Sequence, residues 1–257
     1  MIKRWVVFLF GCVSYALFLV SFLYAIGFVG GFGVPTVLDG PATDGVVAAL
    51  VVDGLLLAIF ALQHSVMARP RFKVLVTRVV PSAAERSLYV LASSVALLLL
   101  FWQWRPIGGT VWALESPAAR TAMEVVFATG WATVLATTFL INHFDLFGLR
   151  QVWLFLNGRA YTHLRFATPG PYRHVRHPLY VGWLLAFWAT PTMTAAHLFF
   201  AAATTAYILI AIRFEERDLE DLHGAPYAEY RRRVPMLVPR LGAKTPPVPA
   251  SRRVVVK

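Results

Sequence analysis

The chain has 257 residues, of which 58% are hydrophobic and only 14% charged, and its formal net charge is +11. A soluble domain carries about 25% charged residues, so this composition argues against a soluble protein. We interpret the positive charge as basic residues that flank membrane spans, and we expect a lipid bilayer and no nucleic acid as its partner. The single cysteine, Cys12, excludes an intrachain disulfide.

Four apolar runs in the first part of the chain approach or exceed the length that crosses a bilayer, about 20 residues. They cover residues 5–28, 46–66, 88–104 and 122–141. The first lacks a small-residue cleavage site, which indicates an anchor and not a removed signal peptide. Residues 179–212 are too long for one span, and the interruption at Thr190-Pro191-Thr192 predicts a two-span helical hairpin turning near Pro191. The predicted fold class is all-α, a polytopic membrane helical bundle of about five to six spans.

Basic residues alternate between the segments that connect the apolar runs. There are two at the N-terminus, five in 67–87, five in 142–178 and ten beyond residue 212, against none in 29–45, two in 105–121 and none at the hairpin turn. Cytoplasmic segments of membrane proteins are the ones rich in Lys and Arg. We therefore predict a multi-pass cell (inner) membrane protein with both termini and the basic segments in the cytoplasm.

The cytoplasmic stretch 157–182 is dense in groups that bind anions. It contains Arg159, Arg165, Arg173, Arg176, His163, His174 and His177. Pro169-Gly170-Pro171 predicts a tight non-helical turn, and His177-Pro178 predicts a helix start. A helix N-terminus beside Arg and His can bind a carboxylate or phosphate. The alternative interpretation is a solvated basic loop that touches lipid headgroups.

The second cytoplasmic stretch, 213–239, begins with two carboxylates. Glu215 and Glu216 lie where the last span leaves the membrane, and they could hold an ammonium group or accept hydrogen bonds from ribose hydroxyls. Alternatively they belong to a helix face on which residues such as Arg213 and Glu216 are simply neighbours. Gly224 predicts the end of this helix.

Arg176-His177-Pro178-Leu179-Tyr180-Val181-Gly182 is an RHPxYxG motif. The hairpin follows, then Glu215-Glu216, Leu219, Gly224, Tyr227, Tyr230 and Val234-Pro235. Over residues 165–239 this order resembles the isoprenylcysteine carboxyl methyltransferase and phospholipid methyltransferase superfamily. The resemblance implies an enzyme that encloses S-adenosyl-L-methionine between the hairpin and its flanking segments, with no metal. The residues it implies at the cofactor are Pro171, Tyr172, Arg176, His177, Tyr180, Gly182, Glu215 and Glu216. Arg176 and His177 are expected near the carboxylate of the cofactor, and the glutamates near its ammonium or ribose.

The N-terminal half narrows the substrate. The strings FLYAIGFVGGFGVP, LQHSVMARP (62–70), ERSLYVL (85–91), FWQWRPIG (101–108) and FLINHFDLFGLRQ (139–151) resemble the bacterial methanethiol S-methyltransferases. This resemblance implies methylation of a small thiol, methanethiol, to dimethyl sulfide. The expected organisation is a four-span bundle over 1–145, a methyltransferase core over 146–240 and a flexible basic tail over 241–257. The sequence is compatible with either a monomer or an oligomer.

A thiol must lose its proton to become a good nucleophile, and a small alkyl thiol titrates above about 8.5. The candidates for this step are His143 and Asp145 after the fourth run, with Arg150 close behind, and His64 near the end of the second run. Each has a structural alternative, a wetted helix end for the first pair and an interface residue for His64. Tyr89, Glu85 and Arg86 begin the third run on the same side. Asp53 lies inside the second run and is either functional or a neutral structural group.

Three other interpretations remain at this point. The substrate could be a prenylcysteine carboxylate or a phospholipid amine, both of which need a long lipid groove. The HSVMAR string also resembles membrane proteins related to a haem-dependent carotenoid isomerase, in which His64 and His143 would be axial ligands. A transporter is weakly supported, because only Asp53 lies at depth and no paired repeats occur.

Overall fold

The computed structural model describes residues 1–42, 44–162, 164 and 167–240. Its helices are α1 (Ile2–Gly30), α2 (Val46–Ala68), α3 (Pro70–Val76), α4 (Glu85–Gln103), α5 (Pro117–Leu140), α6 (His143–Leu146), α7 (Leu149–Leu156), α8 (Pro178–Trp188), α9 (Ala195–His223) and α10 (Ala225–Arg233). Two short strands, β1 (Thr110–Ala113) and β2 (Thr192–Thr194), pair in antiparallel fashion. The predicted tail over 241–257 lies outside the described residues.

Five helices in the described part of the chain are long and apolar enough to cross a membrane: α1, α2, α4 with the turn before it, α5 and α9. The helical break between Trp188 and Ala195 confirms the hairpin near Pro191. Helix α8 has 11 residues, which at 1.5 Å per residue reach about 16 Å, roughly half of the hydrocarbon core. The first arm of the hairpin is therefore a partial span, so the prediction of five to six spans is confirmed with five complete ones.

The long helices and α8 form a closed ring. Around it, α1 packs on α4, α4 on α2, α2 on α9, α9 on α8 and α8 on α5. Aromatic side chains close the ring between α5 and α1, where Trp131 meets Phe22 with ring centroids 5.4 Å apart. Trp183 of α8 joins this contact at 5.2 Å from Trp131.

One end of the ring gathers the three segments that are poor in basic residues. Strand β1, from the 104–116 connection, pairs with β2 at the hairpin turn. Asp39, from the connection after α1, accepts hydrogen bonds from Thr194 and from Nδ1 of His197. Asp53 is fully buried there and accepts the backbone N–H of Arg105 at 2.9 Å, which favours the structural interpretation of this carboxylate. The sheet was not predicted.

The other end gathers the segments that are rich in basic residues, including α3, α6, α7 and α10. Helix α7 packs against α1 so closely that a Cβ on Gly11 would lie 2.6 Å from Val152. Helices α7 and α8 of the expected core thus contact α1 and α5 of the expected N-terminal bundle. The division of the chain at residue 145 into a four-span bundle and a methyltransferase core stays a prediction.

Candidate active site

The motif over 176–182 begins at the basic end of the ring. Residues 170–173 form one turn of 3₁₀ helix where a non-helical turn was predicted. Pro178 occupies the first turn of α8, as the sequence predicted. The backbone N–H groups of Arg176 and His177 donate to the carbonyls of Pro235 and Met236 at 2.9 and 3.2 Å. The start of α8 is therefore held by the chain that follows α10.

The Arg176 side chain ties three elements together. Its Nε donates to Oε1 of Glu216 at 2.7 Å. Its Nη1 donates to the carbonyls of Val234 and Arg231 at 2.7 and 2.9 Å. A guanidinium that donates to a carboxylate and two carbonyls at once fixes α8 relative to α9 and α10, because its planar fork allows little rotation.

The two adjacent glutamates have different surroundings. Glu216 is 7% exposed, and the oxygen that accepts from Arg176 also lies 3.0 Å from Nε2 of the buried His177. Glu215 keeps 44% of its side chain exposed and accepts from the Tyr180 hydroxyl at 2.9 Å. Glu216 is thus occupied by protein groups, whereas Glu215, which also lies 3.9 Å from Nδ1 of His177, keeps nearly half of its side chain accessible.

Tyrosines enclose the carboxylates on the side of α10. The Tyr230 hydroxyl donates to the carbonyl of Tyr172 at 2.7 Å, and Tyr227 is buried beside it. Burial and the charge of Glu215 raise the pKa of Tyr172, so its hydroxyl stays protonated at neutral pH. Pro171 shapes the turn before the motif by accepting the N–H groups of His174 and Val175.

The opposite wall comes from α2, α4 and the middle of α9. The Tyr89 hydroxyl lies 2.7 Å from Nε2 and 3.1 Å from Nδ1 of His64, and the hydroxyls of Ser65 and Tyr207 lie 3.1 Å apart. The contact between Ser65 and Tyr207 joins α2 to α9, the helix that carries Glu215 and Glu216. The structure therefore brings His64 and the RHPxYxG motif to the same end of the ring.

The remaining sequence candidates lie in separate clusters. The two ring nitrogens of His143 bond to the hydroxyls of Tyr15 and Thr138, each at 2.8 Å. Asp145 accepts from Arg150 at 2.8 Å and from Tyr161 at 3.2 Å. Helix α5 ends at Leu140, before Asn142. The side chains of His143 and Asp145 nevertheless bond to different partners. Catalytic roles for His143, Asp145 and Arg150 stay predictions.

Gly182 has a steric reason to be glycine. A Cβ there would lie 2.9 Å from the carbonyl oxygen of Gly130 and from Val134 of α5. This close approach sets the crossing of α5 and α8 without requiring a cofactor. Its predicted contact with the cofactor stays a prediction, while His163 and Arg165 lie outside the described residues.

The structure leaves little room for the haem interpretation. The nitrogens of His64 bond to Tyr89 and to Ser93, and those of His143 bond to two hydroxyls as described. All four nitrogens thus have protein partners at hydrogen-bond distance.

Sequence reasoning missed Tyr207, Ser65 and Ser93 as parts of the site. Tyr207 lies in an apolar helix with no motif around it, and Ser93 lies one turn after Tyr89 on α4. The helical spacing of Tyr89 and Ser93 would have placed them on one face. Only the fold shows that this face meets His64.

The polar groups at this end of the ring fit a ligand that carries both a positive and a negative charge. Glu215 is open to an ammonium or a hydroxyl, and Tyr89, Tyr180 and Tyr207 supply aromatic surface and hydroxyl groups. The Arg86 guanidinium lies 5.4 Å above the Tyr89 ring and can face a carboxylate. S-adenosyl-L-methionine has a carboxylate, an ammonium, ribose hydroxyls and a sulfonium, so these groups suit it.

A ring of five membrane spans with a hairpin that joins RHPxYxG to a Glu-Glu pair defines an integral membrane methyltransferase. The model of the phospholipid methyltransferase family matches residues 121–225. The chain is 54% identical to methanethiol S-methyltransferase of Crocosphaera subtropica, over 95% of this chain and 96% of the relative. It is 53% identical to that of Mycobacterium tuberculosis (92% and 97%) and 54% identical to methanethiol S-methyltransferase 2 of Bradyrhizobium diazoefficiens (95% and 94%). The chain belongs to the methanethiol S-methyltransferase family. No solved structure is significantly similar to it.

Proposed function

We propose that the protein transfers the methyl group of S-adenosyl-L-methionine to methanethiol, which yields dimethyl sulfide, at the cytoplasmic face of the cell membrane. The observation that carries the proposal is the convergence of Arg176, His177 and Tyr180 with Glu215 and Glu216 at one end of the ring. The relatives that share about half of its residues over nearly their whole length support methanethiol as the substrate.

The residues of the pocket divide the binding of the methyl donor between them. S-adenosyl-L-methionine supplies an electrophilic methyl group on a cationic sulfur. Glu215 would bind its ammonium or ribose hydroxyls, since this carboxylate keeps an open side. Arg176, His177 and Glu216 hold the start of α8 in place, so that Tyr180 and Glu215 face the donor without reorganisation.

The location in the membrane suits the substrate. Methanethiol is small and apolar, so it partitions into lipid and can reach the pocket between helices. A water-poor site also strengthens the attraction between a cationic sulfonium and a thiolate. The basic end of the ring is where the positive-inside rule places the cytoplasm, which is where the methyl donor is made available.

Purified protein in detergent, supplied with S-adenosyl-L-methionine and one acceptor at a time, tests the proposal. Headspace gas chromatography should detect dimethyl sulfide with methanethiol, and the amount should grow with enzyme and time. Glu215→Gln should lower the product formed at low donor concentration. Methylation of a prenylcysteine or of phosphatidylethanolamine in place of methanethiol would contradict the proposed substrate.

A further inference from the structure

We propose that Tyr89, with His64 behind it, removes the proton of the thiol substrate. The proposal rests on the thiol methyltransferase activity proposed above and names the group that generates its nucleophile. It selects His64 from the four sequence candidates for this step, and it adds Tyr89 as the group that touches the substrate.

The relay requires one particular tautomer of His64. The Tyr89 hydroxyl lies 2.7 Å from Nε2 and 3.1 Å from Nδ1, and Oγ of Ser93 lies 3.2 Å from Nδ1. If Nδ1–H donates to Ser93, Nε2 carries the lone pair and accepts the phenolic proton of Tyr89. A histidine whose second nitrogen is held in this way keeps its basic nitrogen pointed at one partner.

Packing fixes the ring in this orientation. Phe60, one turn earlier on α2, stacks on the imidazole with centroids 5.2 Å apart, and Phe60 in turn meets the edge of Tyr207. Tyr89 packs on the other side of His64 at 5.0 Å between ring centroids. The pair is therefore preorganised by helices α2, α4 and α9, without a contribution from a loop.

Tyr89 and His64 lie at the end of the ring in which the methyl donor is proposed to bind. Ser65, next to His64, lies 3.1 Å from the Tyr207 hydroxyl of α9, the helix that carries Glu215, and the Arg86 guanidinium lies 5.4 Å from the centre of the Tyr89 ring. A thiol beside Tyr89 would thus lie at the same end of the ring as the residues assigned to the donor. Glu85 and Arg86 of α4 are charged groups that act on this pair, and the positive charge of Arg86 opposes a proton on His64.

The other histidine among the sequence candidates, His143, is less suited to this role. Both nitrogens of His143 bond to hydroxyl groups, and its ring is covered by Phe139, stacked at 4.2 Å, and by Phe147. These aromatic rings leave it 2% exposed. Its partner Tyr15 lies at His143 and not beside Glu215 or Tyr180, so the cluster has no contact with the donor site among the described residues.

In this step the proton of the thiol moves to His64 through Tyr89. The S–H proton passes to the oxygen of Tyr89 while the phenolic proton of Tyr89 passes to Nε2 of His64, which becomes an imidazolium. The electron pair left on the thiol sulfur forms the new S–C bond. The bond between the methyl carbon and the sulfonium of the donor breaks, and its electron pair stays on the donor sulfur. The imidazolium afterwards returns its proton to water.

A pair of thiols of different acidity tests this role. Ethanethiol needs a base at neutral pH, whereas the more acidic 2,2,2-trifluoroethanethiol supplies far more thiolate by itself. Tyr89→Phe should lower kcat roughly 100-fold or more with ethanethiol, the usual contribution of general base catalysis. With trifluoroethanethiol the loss should be less than about tenfold.

Two further variants separate a proton relay from a structural role. Tyr24→Phe removes an equally short buried hydroxyl bond, 2.6 Å to Thr36, at the opposite end of the ring and should leave both rates unchanged. His64→Gln retains an acceptor for Tyr89 and cannot take up a proton. Its rate with ethanethiol should keep rising with pH as free thiolate forms, whereas the rate of the wild-type protein levels off.

Each outcome has a defined meaning. Equal losses with both thiols in Tyr89→Phe, or no loss with either, would overturn the relay while leaving the proposed function intact. A wild-type rate profile that follows free thiolate in the same way as His64→Gln would also overturn it. A wild-type protein that methylates neither of these thiols nor methanethiol would overturn the proposed function itself, and the relay with it.

Discussion

The guanidinium of Arg176 donates to the carboxylate of Glu216 at 2.7 Å and thereby joins the first turn of α8 to the end of α9. Both side chains are nearly buried, with 12% and 9% exposed. Their contact joins the two arms of the hairpin at the basic end, although the two residues are 40 positions apart in the sequence. The adjacent Glu215 instead accepts a hydrogen bond from Tyr180 and lies 3.9 Å from His177. Substitutions of the two glutamates should therefore have contrasting effects.

Glu216→Gln should destabilise the fold, because the change replaces charge-assisted hydrogen bonds with neutral ones in a buried place. A loss of about 1–2 kcal/mol is expected, measured as thermal unfolding in detergent micelles. Donor affinity should fall only indirectly, through the loosened start of α8.

Glu215→Gln should show the reverse, with unchanged unfolding and a dissociation constant for S-adenosyl-L-methionine raised about tenfold in calorimetry. The two variants control for each other because they are adjacent and isosteric. An unchanged affinity in Glu215→Gln would remove this residue from the donor site.

Gly182→Ala should destabilise the protein by about 1–3 kcal/mol, because the added methyl collides with backbone atoms of α5 that cannot move aside. Gly54→Ala is the matched control, since a Cβ there would meet only Phe199, at an ordinary 3.9 Å. Thermal unfolding of both variants in the same detergent checks the comparison. Equal stability of the two would show that the crossing of α5 and α8 is looser than 2.9 Å implies.

Much of the fold could be predicted because a bilayer imposes length and apolarity on every span. The predicted span over 122–141 nevertheless starts later than the helix itself, because α5 begins at Pro117 and has Arg120 and Glu124 in its first two turns. Polar residues where a helix leaves the hydrocarbon are invisible to a search for apolar runs. The pairing of β1 with β2 was missed because strands of four and three residues, about 80 positions apart, carry no local signal.

The candidate site was partly predictable for a different reason. The RHPxYxG motif and the Glu-Glu pair identified Arg176 and Glu216, but adjacent residues on a helix point about 100° apart, and sequence does not tell which one the protein uses for itself. The pairing of His143 with Tyr15 across 128 positions also required the fold. The same is true of His64 and Tyr89, whose helices meet only in the closed ring.

The stability of the protein should fall as the pH drops below about 6.5, in part because of His143. Burial lowers the pKa of this side chain from its ordinary value of 6.5. The unfolded chain therefore binds a proton at a pH where the folded chain does not, so acid favours unfolding. His143→Gln should flatten this dependence in thermal unfolding between pH 7 and 5.

Tyr15→Phe serves as the control for this effect. It removes the hydrogen bond to Nε2 of His143 and leaves the titrating ring in place. It should lower stability at every pH and retain most of the slope. A slope in His143→Gln equal to that of the wild-type protein would show that other groups cause the acid sensitivity.

Cysteine labelling should place the basic end of the ring in the cytoplasm. In a Cys12→Ser background, Val111→Cys lies exposed on β1, and Val79→Cys lies exposed after α3. A membrane-impermeant maleimide should label Val111→Cys on intact cells, and Val79→Cys only after the membrane is opened. The opposite pattern would reverse the topology and separate the site from the cytoplasmic methyl donor.

The central claim is that the start of α8 and the end of α9 enclose the methyl donor, and hydrogen–deuterium exchange tests it most directly. On addition of S-adenosyl-L-methionine to the purified protein, amide exchange should slow in residues 171–182 and 213–234. It should stay the same in residues 105–116 and 189–194, which lie at the opposite end of the ring. Slower exchange confined to that opposite end, or no change at saturating donor, would contradict the account.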